Sequence, residues 1–303
     1  MMVAEVEPPE YFVETAAICS LVQRAELYLA ANFPVYFRGV SGSGKTTLAL
    51  HVARRLGKPV IILHGDEECS TSQLVGMQQG YRFRRVQDNF IRAVRRYEEE
   101  YSNRWVDDRL TIACREGYTL LYDEFNRSRP EANNTLLSIL QEGILSMPAG
   151  RSDGERYLRV HPDFRAIFTG NPEEYAGVHP TQDALRERMI TLDVDNFDYE
   201  TEIAITRAHS PGLSVGSCER IVDIVRAMRQ EGSFPVTPTI RSCVKLGRAL
   251  AQLGISRLIF ESPVSDIFAD VLVSGCSRIG DRRELEVLRE RLDEIMLAVQ
   301  SKE

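Results

Sequence analysis

The sequence predicts an α/β fold, a parallel sheet flanked by helices, followed by an all-helical domain. Three observations predict it. Residues Gly39 to Thr46 read G-V-S-G-S-G-K-T and fit G-x-x-x-x-G-K-[ST], the pattern of a phosphate-binding loop. Short apolar runs alternate with helical periodicity from Thr15 to about residue 197. Beyond that point strand-like runs largely vanish and helical spacing takes over. We therefore expect a tail at residues 1–14, an α/β domain at 15–197 and a helical domain at 198–303.

Composition narrows the class. The chain has 303 residues, with 43% apolar and 27% charged, as a globular protein has. Its 37 Lys and Arg against 44 Asp and Glu give a net charge of −7, which argues against general affinity for nucleic acid. No apolar run approaches the roughly 20 residues of a membrane span. The acidic start lacks the basic and apolar regions of a signal peptide. Six cysteines (Cys19, Cys69, Cys114, Cys218, Cys243, Cys276) are scattered without a C-x-x-C pair, and the five histidines form no H-E-x-x-H. Reduced thiols in a cytoplasmic protein, without structural zinc, are the expectation.

Each element has its own reason. Thr15 to Ala31 carries a stripe of Ala17, Leu21, Ala25, Tyr28 and Leu29 and reads as a packing helix, ended by Asn32-Phe33-Pro34. Val35-Tyr36-Phe37 is a short buried strand feeding the glycine loop. Thr47 to Leu56 follows as a helix, with Leu48, Val52 and Leu56 on one face. Glycines at Gly39, Gly42 and Gly44 let the backbone curl so that several N–H groups point at one anion. Lys45 can reach the outer phosphates, and the Thr46 hydroxyl can ligate Mg²⁺. Val60 to Leu63 is a continuous apolar strand. Residues 80–109 mix Tyr81, Arg82, Phe83, Arg84, Arg85, Arg92, Arg95 and Arg96 with Glu98-Glu-Glu100 and Asp107-Asp108. A single-stranded nucleic-acid grip, a solvated helix face and a pore-facing or intersubunit loop all suit that mixture.

Gly117 to Glu124 is an apolar strand ending in two carboxylates. Asp123 would orient Mg²⁺ or its water shell, and Glu124 would activate water. Asn126 to Pro130 opens a helix with Ser128 as N-cap and Leu136, Leu137 and Leu140 inward, ended by Gly143. Residues 144–160 read as a β-hairpin. Phe164 to Asn171 is a strand whose tip, Asn171, suits positioning a water. Thr181 to Met189 reads as a helix and Ile190 to Val194 as a strand. Helices are expected at 200–208, 218–230, 239–253, 260–274 and 283–299. In such a sheet the phosphate site lies at the carboxyl ends of the strands.

Phosphate loop, Asp123-Glu124, Asn171, arginines at the end of a short helix and a helical domain stand in one order. That order resembles an AAA+ ATPase of the MoxR type. A closer resemblance lies in His64-Gly-Asp-Glu-Glu, Gln78-Gln-Gly-Tyr, Trp105-Val-Asp-Asp-Arg-Leu, Ala113-Cys-Arg-Glu-Gly, Tyr122-Asp-Glu-Phe-Asn-Arg-Ser-Arg-Pro-Glu-Ala-Asn-Asn134 and Asn171-Pro-Glu-Glu-Tyr-Ala-Gly-Val-His179. These strongly resemble the gas vesicle protein N family over about residues 15–250. The resemblance implies a P-loop ATPase with a helical lid, acting with ATP and Mg²⁺ in the assembly of gas vesicles, hollow protein-shelled flotation organelles. It implies a homo-oligomer, an association with gas vesicle protein O, and a place at the gas vesicle and in the cytoplasm. ATP contacts would come from Gly39, Val40, Ser41, Gly42, Ser43, Gly44, Lys45, Thr46 and Thr47, with Arg241 resembling the sensor 2 arginine. Thr46 and Asp123 would hold the metal, and Glu124 would be the base. Asn171 resembles sensor 1. Arg188, with Arg186 as rival, sits where the arginine finger lies. Two other functions stay open: a MoxR-type chaperone for a metalloenzyme, and a module that uses ATP only as a switch.

Overall fold

The structure is a computed structural model. It describes residues 11–68, 70–88, 96–147, 156–171, 179, 181–232, 234–276 and 282–301, with backbone alone at 77–88, 96–105 and 282. In chain order the elements up to the helical region are α1 (Ala16–Ala30), β1 (Val35–Arg38), α2 (Lys45–Arg55), β2 (Val60–His64), α3 (Thr71–Val75), β3 (Gly76–Asp88), β4 (Arg96–Asp107), α4 (Arg109–Glu116), β5 (Thr119–Asp123), α5 (Pro130–Glu142), β6 (Ile144–Ser146), β7 (Tyr157–Arg159), β8 (Arg165–Gly170), α6 (Asp183–Arg186) and β9 (Ile190–Asp193). Five strands form one sheet in the order β2-β5-β8-β1-β9. Parallel pairing is explicit between β2, β5 and β8. The same sense holds for β9 beside β1, since Ile190 N–H donates to Pro34 O (2.8 Å) and Val194 N–H to Arg38 O (2.7 Å). All five residues of β5 are buried, as a central parallel strand requires.

The chain folds as two compact units. One comprises Glu26–Phe37 and Val52–Thr191; the other comprises the described residues of Glu7–Ala25, Arg38–His51 and Leu192–Glu303. The core of the first is aromatic. Phe125 meets Tyr36 edge-on at 5.1 Å and Phe168 at 5.3 Å, contacts worth about 0.5–1.5 kcal/mol each beyond area burial. The second is built on α7 (Tyr199–Ala208), α8 (Val215–Glu231), α9 (Ile240–Gln252), α10 (Val264–Phe268), a π turn over Ala269–Val273, α11 (Ser274–Cys276) and α12 (Arg282–Gln300). Ile221, Val225, Leu246, Leu250, Phe268 and Leu292 form its core. Cys114 and Cys243 are buried and free, and desolvation pushes both thiols up to about 12, so they act as packing groups. Among the described residues no helix is long and apolar enough to cross a membrane.

Several expectations need correction. Residues 76–107 form an antiparallel two-stranded ribbon, β3 against β4, where the sequence suggested a helix face or a loop. The backbone register sets Arg84 opposite Glu100 and Arg85 opposite Glu99. Arg92 and Arg95 fall outside the described residues, as do the side chains of Tyr81, Arg82, Phe83, Arg84, Arg85 and Arg96. Ser128 is not the N-cap of α5. Arg129 holds that position without a side-chain cap, and the buried Ser128 hydroxyl instead accepts from Tyr122 O–H at 2.8 Å. The helix expected over 181–189 is a single turn, α6. Its end tightens through Arg188 N–H to Leu185 O and Met189 N–H to Arg186 O, and Ile190 is then recruited into the sheet. The helix expected from residue 260 begins at Val264. The hairpin β6–β7 forms; its tip at 148–155 falls outside the described residues, as do 172–178.

Candidate functional site

The phosphate loop belongs to the second unit. It leaves β1 at Arg38, whose guanidinium grips Asp193 at 2.6 and 3.0 Å. That hydrogen bond holds the Asp193 carboxyl below its usual 3.8. Gly42 (φ +84°) and Gly44 (φ +89°) take left-handed backbone that other residues resist. A Cβ on Gly42 would lie 2.5 Å from Thr239 Oγ1, and one on Gly39 only 2.2 Å from Val194 O. Lys45 opens α2 and curls back to donate to Val40 O at 2.7 Å. The Ser43 hydroxyl is buried with no hydrogen-bond partner among the described residues. A donor left over inside a glycine cradle at a helix N-terminus fits a phosphate oxygen. Arg241, in the first turn of α9, reaches the same spot: a Cβ on Gly42 would sit 3.4 Å from its Nε. Arg229 supports that turn by donating Nε–H to Pro238 O at 2.7 Å, and the fully buried Glu202 holds Arg229 at 2.6 Å and Arg226 at 2.9 Å.

Beside the loop, within the same unit, lies a cavity of about 260 Å³ lined by Phe12, Gly44, Phe197, Ile205, His209 and Arg241 among others. Its apolar walls next to an anion cradle suit the base and sugar of a nucleotide. The segment from Tyr11 to Thr15 builds one wall. Phe12 stacks on His51 of α2 (3.8 Å, 10°), Glu14 pairs with His51 at 3.1 Å, and Thr15 Oγ1 meets Thr201 Oγ1 of α7 at 2.7 Å. The sequence alone gives Tyr11 to Glu14 no role beyond a tail. An aromatic pair just before the first helix, in an otherwise Pro- and Glu-rich start, was the available signal.

The carboxylates belong to the first unit. Asp123 ends β5 with its side chain nearly buried. Glu124 turns the chain out of the strand in left-handed backbone (φ 53°, ψ 38°) and leaves its carboxylate half exposed, 2.9 Å from Arg127 Nε. Thr169 on β8 joins the two: its hydroxyl donates to Asp123 Oδ1 and accepts the Glu124 N–H at 3.0 Å. His64 Nδ1 lies 3.6 Å from Asp123 Oδ2. Asn126 Nδ2 donates to Asn171 O at 2.9 Å, fixing the loop after β8 to the loop after β5. Neither Thr169 nor Asn126 is marked as a site residue by its sequence context. The hard oxygens of Asp123 and of Thr46, in the first turn of α2, are the donor type Mg²⁺ takes. Arg188 is bound within its own unit, to Ala184 O and Gln141 Oε1. Arg186 is mostly exposed and pairs with Asp183 at 2.8 Å.

The family described as AAA domain (dynein-related subfamily) matches residues 34–189. The chain is 48% identical over 267 residues to a gas vesicle ATPase GvpN of Ancylobacter aquaticus, covering 88% of this chain and 74% of that one. It is 40% identical over 274 residues to a gas vesicle ATPase GvpN of Haloferax mediterranei, covering 90% and 77%. Among solved structures, NtrX from Brucella abortus in complex with ADP is similar in fold, with a TM-score of 0.53 at 15% identity over 95% of this chain and 63% of that chain.

Proposed function

The chain belongs to the AAA domain family and, within it, to the gas vesicle ATPases; on that premise we propose that it couples ATP hydrolysis to gas vesicle assembly by remodelling gas vesicle proteins. It is an ATPase. The observation that carries the reading is an intact set of hydrolytic groups, glycine cradle, Lys45 and Asp123-Glu124, in a chain so close to a gas vesicle ATPase. Lys45 and the loop amides bind the phosphates, and Ser43 offers them a further donor. Thr46 and Asp123 would hold Mg²⁺, which neutralises charge on the phosphate oxygens. Glu124 takes the proton of the attacking water, and Asn171 orients that water. Arg241 reads the bound nucleotide from the helical unit.

The transition state spreads negative charge over the γ-phosphoryl oxygens, and an arginine there can be worth about 10³–10⁵ in rate. Arg188 is our candidate, supplied to the neighbouring subunit of a homo-oligomer, with Arg186 as its rival. Gas vesicle protein O and other gas vesicle proteins are the proposed partners, and the vesicle is the proposed place of work. The test is a vesicle-forming host whose single copy carries Glu124→Gln. It should make few vesicles, or small and immature ones, by phase contrast. Normal vesicles at a normal level of the protein would overturn the coupling and favour a nucleotide-switched binding module.

A further inference from the structure

We infer that Thr169 is a positioning residue for hydrolysis, its hydroxyl setting the geometry of both Asp123 and Glu124. The inference rests on the ATPase reading of that carboxylate pair. Thr169 lies in β8, fully buried between Phe168 and Gly170. At such a position valine would fill the same space without a polar atom to satisfy. The threonine uses its hydroxyl as both donor and acceptor. Its single proton goes to Asp123 Oδ1, so the Glu124 N–H must approach a lone pair, as it does at 3.0 Å. The polarity of the pair of bonds is therefore fixed.

Each bond has a consequence at the reacting end of β5. The first engages one Asp123 oxygen and orients the carboxylate, leaving Oδ2 directed toward His64. The second fastens Glu124 in left-handed backbone, a conformation a residue with a Cβ adopts at a cost. Gly65 packs tightly against the same turn, where an added Cβ would lie 2.2 Å from Glu124 O. Held this way, Glu124 leaves the strand and its carboxylate is half exposed, within reach of water, while Asp123 stays nearly buried. Two adjacent carboxylates thus receive different surroundings from one hydroxyl. Partners of this indirect kind are worth about 10–100-fold in metal affinity or activity.

The test compares full-length Thr169→Val, Thr169→Ser and Glu124→Gln proteins. Thr169→Val keeps the shape and removes the hydroxyl; Thr169→Ser keeps the hydroxyl. For Thr169→Val we expect kcat about 10–100-fold lower, and a similar rise in the Mg²⁺ concentration that half-saturates tightening of fluorescent ATP-analogue binding. Analogue affinity without Mg²⁺ should match wild type, and Thr169→Ser should recover both losses. Should Thr169→Val melt far below wild type, Thr169→Ala serves as the second hydroxyl-free variant. Wild-type kcat and Mg²⁺ dependence without the hydroxyl would overturn the inference. So would a Thr169→Ser protein as impaired as Thr169→Val, because the methyl would then be the important group. Should Glu124→Gln hydrolyse ATP at the wild-type rate, it is the ATPase assignment of the carboxylates that fails.

Discussion

Glu202→Gln should destabilise the helical unit and loosen the nucleotide site with it. Glu202 has no exposed surface, and each carboxylate oxygen engages a different arginine, Arg229 at 2.6 Å and Arg226 at 2.9 Å. An amide keeps the shape, yet it turns one acceptor into a donor facing a guanidinium and removes the negative charge between two positive ones. Breaking a buried pair by altering one partner costs about 3–5 kcal/mol. Arg229 is only 10% exposed and feels that loss, whereas Arg226, 34% exposed, recovers part of it from water. The lower end of the range, about 3 kcal/mol, is therefore expected. At about 2–4 °C per kcal/mol this lowers the melting temperature by about 6–12 °C. The loss should reach the phosphate loop. Arg229 holds Pro238 O, the next residue Thr239 stands beside Gly42, and Arg241 follows. Thermal melts without nucleotide and titration with a fluorescent ATP analogue measure both effects. A melting temperature within about 1 °C of wild type, well under the shift of even a 1 kcal/mol loss, would refute the argument.

Gly42→Ala should weaken ATP binding by about tenfold or more, because left-handed backbone alone costs a residue with a Cβ about 1–2 kcal/mol and the new methyl would meet Thr239 Oγ1; an unchanged dissociation constant would contradict it. Asp198 caps α7 through Thr201 N–H (2.9 Å) and the Thr201 hydroxyl (2.8 Å), and the backbone bond above all lowers its carboxyl from the usual 3.8. A lowered native pKa contributes stability that is present above the unfolded value and lost as pH falls through the native one. Asp198→Ala should therefore cost about 1 kcal/mol at neutral pH in urea melts and lose its disadvantage in strong acid, whereas a pH-independent gap would exclude the cap. Arg188→Ala should bind ATP and turn over slowly, and mixing it with Lys45→Ala should partly restore activity. No recovery where mixed assemblies demonstrably form would exclude Arg188 in trans and send the same test to Arg186.

The parts of the site carried by local chemistry were legible in the sequence. A glycine loop between an apolar run and a helix needs its residues contiguous, and so does a strand ending in Asp123-Glu124. The sheet strands were legible for a similar reason, as buried parallel strands are short runs dominated by apolar residues. What depended on distant partners was not. Thr169 looks like any β-branched strand residue until β5 and β8 pair. Glu202 looks like an ordinary acidic residue in the first turn of a helix, the exposed kind, until α8 brings Arg226 and Arg229 to it. The β3–β4 ribbon was hidden because Arg84-Arg85 and Glu98-Glu-Glu100 are runs of charge, which break the period-two alternation of a half-buried strand. The helix expected over 181–189 was over-extended because the chain tightens after one turn, Arg188 N–H reaching Leu185 O and Met189 N–H reaching Arg186 O, just before the strand at Ile190.

ATP affinity and ATP turnover, measured together for wild type and Glu124→Gln, test the hydrolytic site most directly. Glutamine keeps the shape of the side chain and cannot take the proton from water. Glu124→Gln should keep an ATP dissociation constant close to wild type, set by the phosphate loop and Arg241, with turnover reduced by at least about 100-fold. Turnover equal to wild type at equal affinity would contradict it, because the carboxylate at the end of β5 would then have no part in hydrolysis.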